Sequence, residues 1–540
     1  MKKIFMSIFG KSKNKFIILT VISLLLAAIG IVLPYLNGEF IDYLATGVGY
    51  SFILRMCIFI LLLGLINVTL YYVKQILNAK IKLESSYLLK LEILKHLRDI
   101  PILSYKKFTP SYLNQRTEQD IGDIVSFIIS NYPAIILNAI QIIGLFIIIS
   151  RVSKGVVILM LIFLPVYYVM YVFLRKPLYT KSYASKEAHN LYFNTLNDQL
   201  AFMEEIKTNA NYEYNNLYID KYYRKYYRNY LEFVKISGKS ISIEGIISAL
   251  FQVATFLYGG WQVLNHNMSV GQLTVMCTYF SMMLQLIKYY FELGNSFQNV
   301  KTSLHRLEAI FHIEVEKEGN ILLEKIENIS ASITFGYDSN NFILKELPLE
   351  LCRGKIYCVV GKNGEGKSTL TKILIGILHA KSILVNGINI DCLNMEELRK
   401  NSILYISQAL NYPNRTIKEI YQEYNSNIRL EDVIRKIKEH DLNEEQLIPL
   451  YQENWNKNIN TLSGGEKQIV SILKCLVKEA DMIIFDEPTS NLDIKRINAL
   501  LRLIERLKME KKILLIVSHD SEIIQASDII IRLGNIVSDE

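Results

Sequence analysis

Apolar residues come in long runs up to about residue 300 of this chain. Beyond that they come in short runs separated by amphipathic stretches. The segment 16–36 is almost wholly apolar, close to the roughly 20 residues that cross a bilayer's ~30 Å of hydrocarbon as a helix. Five more segments share this character: 53–77, 132–150, 155–174, 241–264 and 270–287. The pattern predicts six membrane-spanning helices with unequal connections. Residues 82–98 and 184–230 keep helical apolar spacing, but carry abundant charge and no glycine. They predict helices that continue beyond the bilayer. Their return points, near 111–116 and 209–217, predict short helices presented to something below the membrane. A signal peptide would also begin with an apolar run after Lys-rich residues. The first run is too long for that, and no small-residue cleavage site follows it.

After a charged stretch near 314–319, β-branched runs alternate with amphipathic helices, which predicts an α/β domain around a mostly parallel sheet. The expected fold class is a polytopic α-helical membrane domain fused to an α/β domain. Residues 1–305 would form the first, 306–320 a linker and 321–540 the second, with the boundary inside the helix-like 298–312 segment and the charged residues after it.

Composition sharpens this picture. A chain of 540 residues exceeds one ordinary domain, and 51% hydrophobic residues with a mean hydropathy of +0.20 is high for a soluble enzyme. The net charge of +8 is explained by basic cytoplasmic loops without invoking a nucleic-acid partner. Connections 37–52 and 265–269 contain no Lys or Arg, whereas 78–131 and 175–240 are rich in both. The positive-inside rule therefore puts the long connections and both chain ends in the cytoplasm, giving a multi-pass protein of the cytoplasmic membrane. Arg151 and Lys154, in a short connection, run against that rule. Cysteines 57, 277, 352, 358, 392 and 475 form no C-x-x-C pair, which argues against a zinc site or a disulfide framework.

Polar residues inside the spans include Asn67, Asn138, Gln141, Glu244, Gln252 and Gln262, with Lys288 just past the last. Facing lipid is costly for such groups, so Glu244 and Lys288 are candidates for substrate contact. Both also lie where snorkelling is cheap, and Lys288 with Glu292 has the i,i+4 spacing of a helical pair. Tyr167, Tyr168, Tyr171, Tyr279, Met282 and Met283 suit either an amphiphile-accepting cavity or ordinary packing.

The candidate chemistry lies in the last 225 or so residues. Gly361, Asn363, Gly364, Gly366, Lys367, Ser368 and Thr369 belong to a G-x-x-x-x-G-K-S-T run between an apolar strand, 356–360, and a helix. Glycines let backbone N–H groups curl around phosphate oxygens, and the helix N-terminus favours the anion. Lys367 would reach the β- and γ-phosphates, and Ser368 would ligate Mg²⁺. An apolar strand ends in Asp486 and Glu487, which suits Asp486 to hold Mg²⁺ through water and Glu487 to polarise an attacking water. Ser463, Gly464 and Gly465 open a second helix suited to an anion contact. Gln408 and His519 each follow a strand. Tyr337 is an aromatic that would stack on adenine.

Taken together these residues resemble the nucleotide-binding domain of ABC transporters. The Walker A loop (361–369), the Q-loop Gln408, the LSGGE signature (462–466), the Walker B strand (482–487), the D-loop Ser490-Asn491-Leu492-Asp493 and the switch His519 fall in family order. Tyr337 matches the A-loop position. The six spans and the run Gln298, Ser303, Arg306, Leu307 resemble the exporter-type (type IV) membrane domain. The resemblance implies a half-transporter that binds ATP and Mg²⁺, with Ser368, Gln408 and Asp486 as metal ligands and Glu487, His519 and Lys367 catalytic. Each ATP would lie between one copy's Walker A loop and the Ser463–Gly465 turn of a partner. That partner would be a second copy or another half-transporter, and Gln408 would face the spans. The implied cargo is a peptide of bacteriocin or lantibiotic type, with drugs, lipids or uptake on the same fold as alternatives. With only about fifteen residues before the first span, no leader-cleaving domain is expected. A non-transport ATPase acting on DNA or ribosomes cannot bury six such spans. Departures from the family pattern are Glu466-Lys467 in the signature, the segment 453–460, and Ser111 and Phe202 where glycines are expected.

Overall fold

Uninterrupted apolar periodicity produces helices of 32 to 53 residues in the first part of the chain. The computed structural model describes residues 2–47, 49–316, 319–337, 342–408, 410–442 and 444–534. The side chains of Ser111 and Gln298, singled out above, lie outside the described residues. The helices are α1 (Lys2–Ala45), α2 (Tyr50–Asp99), α3 (Ile102–Tyr105), α4 (Pro110–Gln115), α5 (Ile121–Val152), α6 (Lys154–Ala201), α7 (Met203–Asn209), α8 (Tyr212–Leu264) and α9 (Val270–Phe311). Six of them are long and apolar enough to cross a membrane. At ~1.5 Å per residue the 53 residues of α8 extend roughly 80 Å, well past the bilayer. Large apolar side chains such as Leu61, Val68, Phe173 and Leu257 are exposed on them, as a lipid-facing surface requires.

The chain divides into two units, Met1–Arg98 with Phe108–Ile313, and Asp99–Lys107 with Glu314–Glu540. In the first, α6 and α8 run as a long hairpin whose extensions meet through stacked rings, Tyr192 and Tyr226 lying 6.1 Å apart and 4° from parallel. The return expected near 209–217 is a short helix, but it lies earlier, as α7 at Met203–Asn209, and α8 already begins at Tyr212. Phe202 leaves α6 at φ −103°, and Ala210 ends α7 in the left-handed region at φ 51°. Phe202 thus occupies a backbone that any residue adopts, so replacing an expected glycine there creates no strain.

Near 111–116 the expected single short helix is instead α3, then α4, then a π-helical turn, Arg116–Asp120. That turn directs the buried Asp120 carboxylate to the Arg116 guanidinium at 2.9 Å, the Ser303 hydroxyl at 2.9 Å and Arg306 at 3.5 Å. A buried charge of this kind survives only because all its partners are present.

Lys288 differs from expectation. Its ammonium pairs across helices with Glu244 at 2.9 Å, rather than along α9 with Glu292. Tyr167, Tyr279 and Met283 are buried in a core with Phe251 and Phe280, and the Tyr279 hydroxyl donates to the Ile31 carbonyl at 2.7 Å. Packing accounts for these three, while Tyr168 is exposed.

The second unit holds two sheets. A five-stranded parallel sheet has the order β6 (Ile403–Ile406), β7 (Met482–Asp486), β8 (Ile513–Val517), β3 (Lys355–Val360), β9 (Ile529–Arg532). An antiparallel sheet has the order β2 (Leu344–Cys352), β1 (Asn328–Phe335), β4 (Ile383–Val385), β5 (Ile388–Asn389). The mostly parallel expectation captures only the first of these. Strands β7 and β8 are buried at every residue, hence their unbroken apolar runs. Ile102, the first residue of α3, packs against this unit's core.

Candidate nucleotide site

The parallel sheet positions the site, because the loops leaving the carboxyl ends of β3, β6, β7 and β8 carry its side chains. Strand β3 runs into the loop 361–366 and then into α10 (Lys367–Leu374). Gly364 and Gly366 sit at φ 91° and 96°, which glycine alone adopts without strain. A Cβ on Gly361 would lie 2.8 Å from Glu365 Oε2 and 3.1 Å from Leu533, so the loop closes tightly on itself. Lys367 is only 8% exposed, and its ammonium donates to the Gly361 carbonyl at 2.6 Å. The lysine therefore folds back over the loop that is expected to cradle phosphate. Asn363 and Ser368 are exposed, while Thr369 is buried and shares a 3.2 Å hydrogen bond with the half-exposed Tyr337. That bond fixes Tyr337 next to the loop, its ring edge-on to Phe335 at 5.3 Å.

Asp486 closes β7, buried at 4% exposure. Burial pushes its carboxyl above the usual range, while the Tyr405 hydroxyl, donating at 2.8 Å, and the Ser368 hydroxyl pull it back. A buried carboxylate raised by desolvation and set beside a hydroxyl gains from a hard divalent cation. The Ser368, Asp486 and Gln408 oxygens are a donor set that fits Mg²⁺. Tyr405 was missed in the sequence. Its only signal is its position on the strand leading to Gln408.

Glu487 has φ 50°, a left-handed backbone that costs a non-glycine residue of order 1 kcal/mol or more. Its own N–H, bonded to the Val517 carbonyl at 2.8 Å, holds it there. The Gln408 amide donates to its Oε2 at 2.9 Å, and His519 Nε2 lies 3.9 Å from its Oε1. The same Nε2 is 2.7 Å from the Lys367 ammonium. With that ammonium donating, Nε2 is the acceptor of this pair. Two hydrogen-bonded pairs from distant parts of the sequence, Lys367 with His519 and Gln408 with Glu487, thus meet at 3.9 Å.

Ser463, Gly464 and Gly465 are not part of it. Ser463 caps the helix Gly464–Ile472 in a reciprocal box with Glu466, whose Oε2 accepts from the Ser463 N–H and hydroxyl, both at 2.8 Å. Those bonds pull the Glu466 carboxyl below the usual range, and glutamate therefore serves here as well as glutamine would. A Cβ on Gly465 would come within 2.7 Å of the Asn491 carbonyl, so the turn packs directly on residues 490–493. Among the described residues no hydrogen bond joins Ser463, Gly464 or Gly465 to the loop 361–369. Gln468, a buried residue that sequence reasoning passed over, anchors this helix by donating to the Pro488 carbonyl at 3.1 Å. The divergent 453–460 segment is a packing element, with Trp455 and Ile459 in the core.

Two family models match the chain, an ABC transporter transmembrane region over residues 16–287 and an ABC transporter model over 344–490. The chain is 23% identical over 416 residues to the lactococcin-A transport/processing ATP-binding protein LcnC of Lactococcus lactis, covering 75% of this chain and 57% of that protein. It is 22% identical over 461 residues to the transport/processing ATP-binding protein ComA of Streptococcus pneumoniae, covering 83% and 64%. It thus spans less than two thirds of the length of these relatives. Its fold is similar to that of a bacterial Atm1-family ABC exporter solved with ATP bound, at TM-score 0.78 and 18% identity, covering 97% of this chain and 95% of that one. With an ATP-binding α/β unit fused to six membrane-crossing helices, this multi-pass membrane protein belongs to the ABC transporter family.

Proposed function

We propose that this chain is one half of an ATP-driven exporter of a peptide or another amphiphile, working across the cytoplasmic membrane as a dimer. The observation that carries the reading is the convergence of the pairs Lys367–His519 and Gln408–Glu487, with the Ser463–Gly465 turn left outside them. A loop with lysine, base and histidine in place lacks only a second phosphate contact, and a partner's capped helix turn can supply one. Both Glu487 and His519 are present, so two copies would make two competent sites. This favours a homodimer over a pairing with another half-transporter.

In the proposed cycle ATP stacks on Tyr337 and its phosphates take the place now filled by the Gly361 carbonyl at the Lys367 ammonium. Glu487 accepts a proton from the attacking water. His519 accepts from the lysine at Nε2 and holds it in place beside Glu487. Mg²⁺, when bound by Ser368, Gln408 and, through water, Asp486, would neutralise charge on the β- and γ-phosphate oxygens. Closing two such units on ATP would move the spans through the short helices of the long connections, with Gln408 the natural relay between base and spans. Residues 1–305 would form the moving membrane part, 306–320 the linker and 321–540 the motor, with both chain ends cytoplasmic.

Peptide cargo is favoured because the relatives include a protein named for lactococcin-A transport. The test is ATP turnover by the purified full chain in lipid vesicles, across panels of peptides, drugs and lipids. A peptide that stimulates turnover and accumulates in inside-out vesicles is the expected result; stimulation by lipids or drugs alone would overturn the peptide assignment.

A further inference from the structure

A cavity of about 410 Å³ opens among α1, α2 and α5 within the membrane unit, a size within the roughly 300–1,000 Å³ typical of small-molecule sites. Its walls join apolar residues to an unusual number of polar ones for the interior of a membrane domain: Ser23, Asn67, Lys74, Asn78, Asn138 and Gln141. Lys74 is the only charged residue on the lining, and no carboxylate lines the cavity to pair with it. Lys288, another cation near membrane depth, is satisfied by Glu244 at 2.9 Å.

Two of the lining atoms are buried without a hydrogen-bond partner, Ser23 Oγ and Asn78 Oδ1. A buried orphan hydroxyl is costly to keep, and an unpaired cation in a low-dielectric setting costs more. Among the described residues Lys74 has no ion-pair partner, and its ammonium and the orphan Ser23 hydroxyl are donors facing one cavity, the chemistry of an anion site. The orphan Asn78 Oδ1 is an acceptor and the Gln141 amide already donates to the Ala27 carbonyl, which leaves the amide N–H groups of Asn67, Asn78 and Asn138 for the remaining lone pairs of an oxyanion. The apolar walls, which include Leu26, Ile129 and Leu137, suit an attached hydrocarbon or apolar side chain.

We propose that this cavity binds the oxyanion of an amphiphile, a carboxylate or phosphate on an apolar chain, with Lys74 as its counter-ion. The inference rests on the transporter reading and narrows its substrate class. The oxyanion could belong to the cargo, such as a peptide's carboxylate, or to a membrane lipid's headgroup.

The test uses the full chain, nucleotide-free, in phosphatidylcholine nanodiscs, and measures direct binding of dodecanoate, dodecyl phosphate and the neutral dodecyl maltoside. Dodecanoate and dodecyl phosphate should bind at least tenfold more tightly than the neutral probe. Lys74→Gln should remove that difference, Lys74→Arg should keep most of it, and Asn78→Ala should weaken it less. Equal binding of charged and neutral probes, or full binding by a folded Lys74→Gln protein, would overturn the proposal. Adding phosphatidylglycerol to the disc separates the sources. Competition with dodecanoate assigns the site to a lipid headgroup, and undiminished dodecanoate binding assigns it to cargo; either result keeps the oxyanion site. Because binding is read without ATP, its failure is distinct from failure of the transporter reading, which ATP turnover tests.

Discussion

In the α/β unit, strands β7 and β8 bury every residue, whereas the most apolar stretch of α2 buries none against the rest of the protein. The two regions use the same residue types against different solvents. In water, apolar burial holds the strands in one arrangement, and the loops at their ends then hold Lys367, Glu487 and His519 to within a few ångströms of each other. In lipid, the outward apolar face is already solvated, and polar contacts such as Lys288 with Glu244 add to core packing in setting position; beyond the spans Asp120 with Arg116 and Ser303 does the same. Each polar residue therefore carries more of the specification in the membrane unit than in the α/β unit.

The comparison breaks most sharply at the catalytic group. Glu487→Gln should cut ATP turnover by roughly 10²–10⁴-fold, the range for losing a general base, while leaving ATP bound. Turnover at the parent rate would remove Glu487 from that role. Lys367→Ala should weaken ATP binding at least tenfold, by loss of a charge-assisted contact to phosphate, as read by equilibrium binding of a fluorescent ATP analogue.

Stability experiments probe the membrane side. Asp120→Ala leaves the buried Arg116 uncompensated and should destabilise the protein by about 3–5 kcal/mol. Glu84→Ala breaks only an exposed pair with Lys15 and should cost about 1 kcal/mol or less. Denaturant titration in mild detergent would compare the two; equal effects would refute the claim that buried polar contacts specify this unit.

The smallest effect belongs to the signature helix. Glu466→Ala removes half of the capping box and should cost roughly 0.5–2 kcal/mol. The Glu466 carboxyl is held below its usual value by Ser463, so its contribution is complete above the unfolded value near 4.3 and is lost as pH falls through the lower, folded value. Amide exchange of residues 464–472, corrected for the intrinsic rate, should rise on acidification in the parent and change less in the variant.

Much of this was legible in the sequence because it is local. A lipid-spanning helix needs a continuous apolar run, and a phosphate loop needs its glycines and lysine within nine residues of one another. Contacts between distant segments were not legible. Nothing near Lys288 in sequence announces Glu244, 44 residues away, and the nearer Glu292 has the more familiar spacing. Asp120 pairs with Ser303 across 183 residues, by way of a π-helical turn that no apolar period announces. Lys74 and Asn78 lie at the end of a span, where basic residues normally snorkel, and only the fold shows that they line a cavity with Asn138 and Gln141. Of the antiparallel sheet, β4 and β5 have only three and two residues, too few to show alternation, while β1 and β2, of eight and nine residues, are long enough to read as strands but do not announce that they pair antiparallel.

The central claim is that each nucleotide site is incomplete within one chain. Nanodiscs sorted to hold either one or two copies of the wild-type chain test it directly, by ATP turnover per chain with ATP binding measured in parallel. Single-copy discs should bind ATP and hydrolyse almost none, while two-copy discs turn over. Equal turnover per chain in single-copy discs would contradict the account.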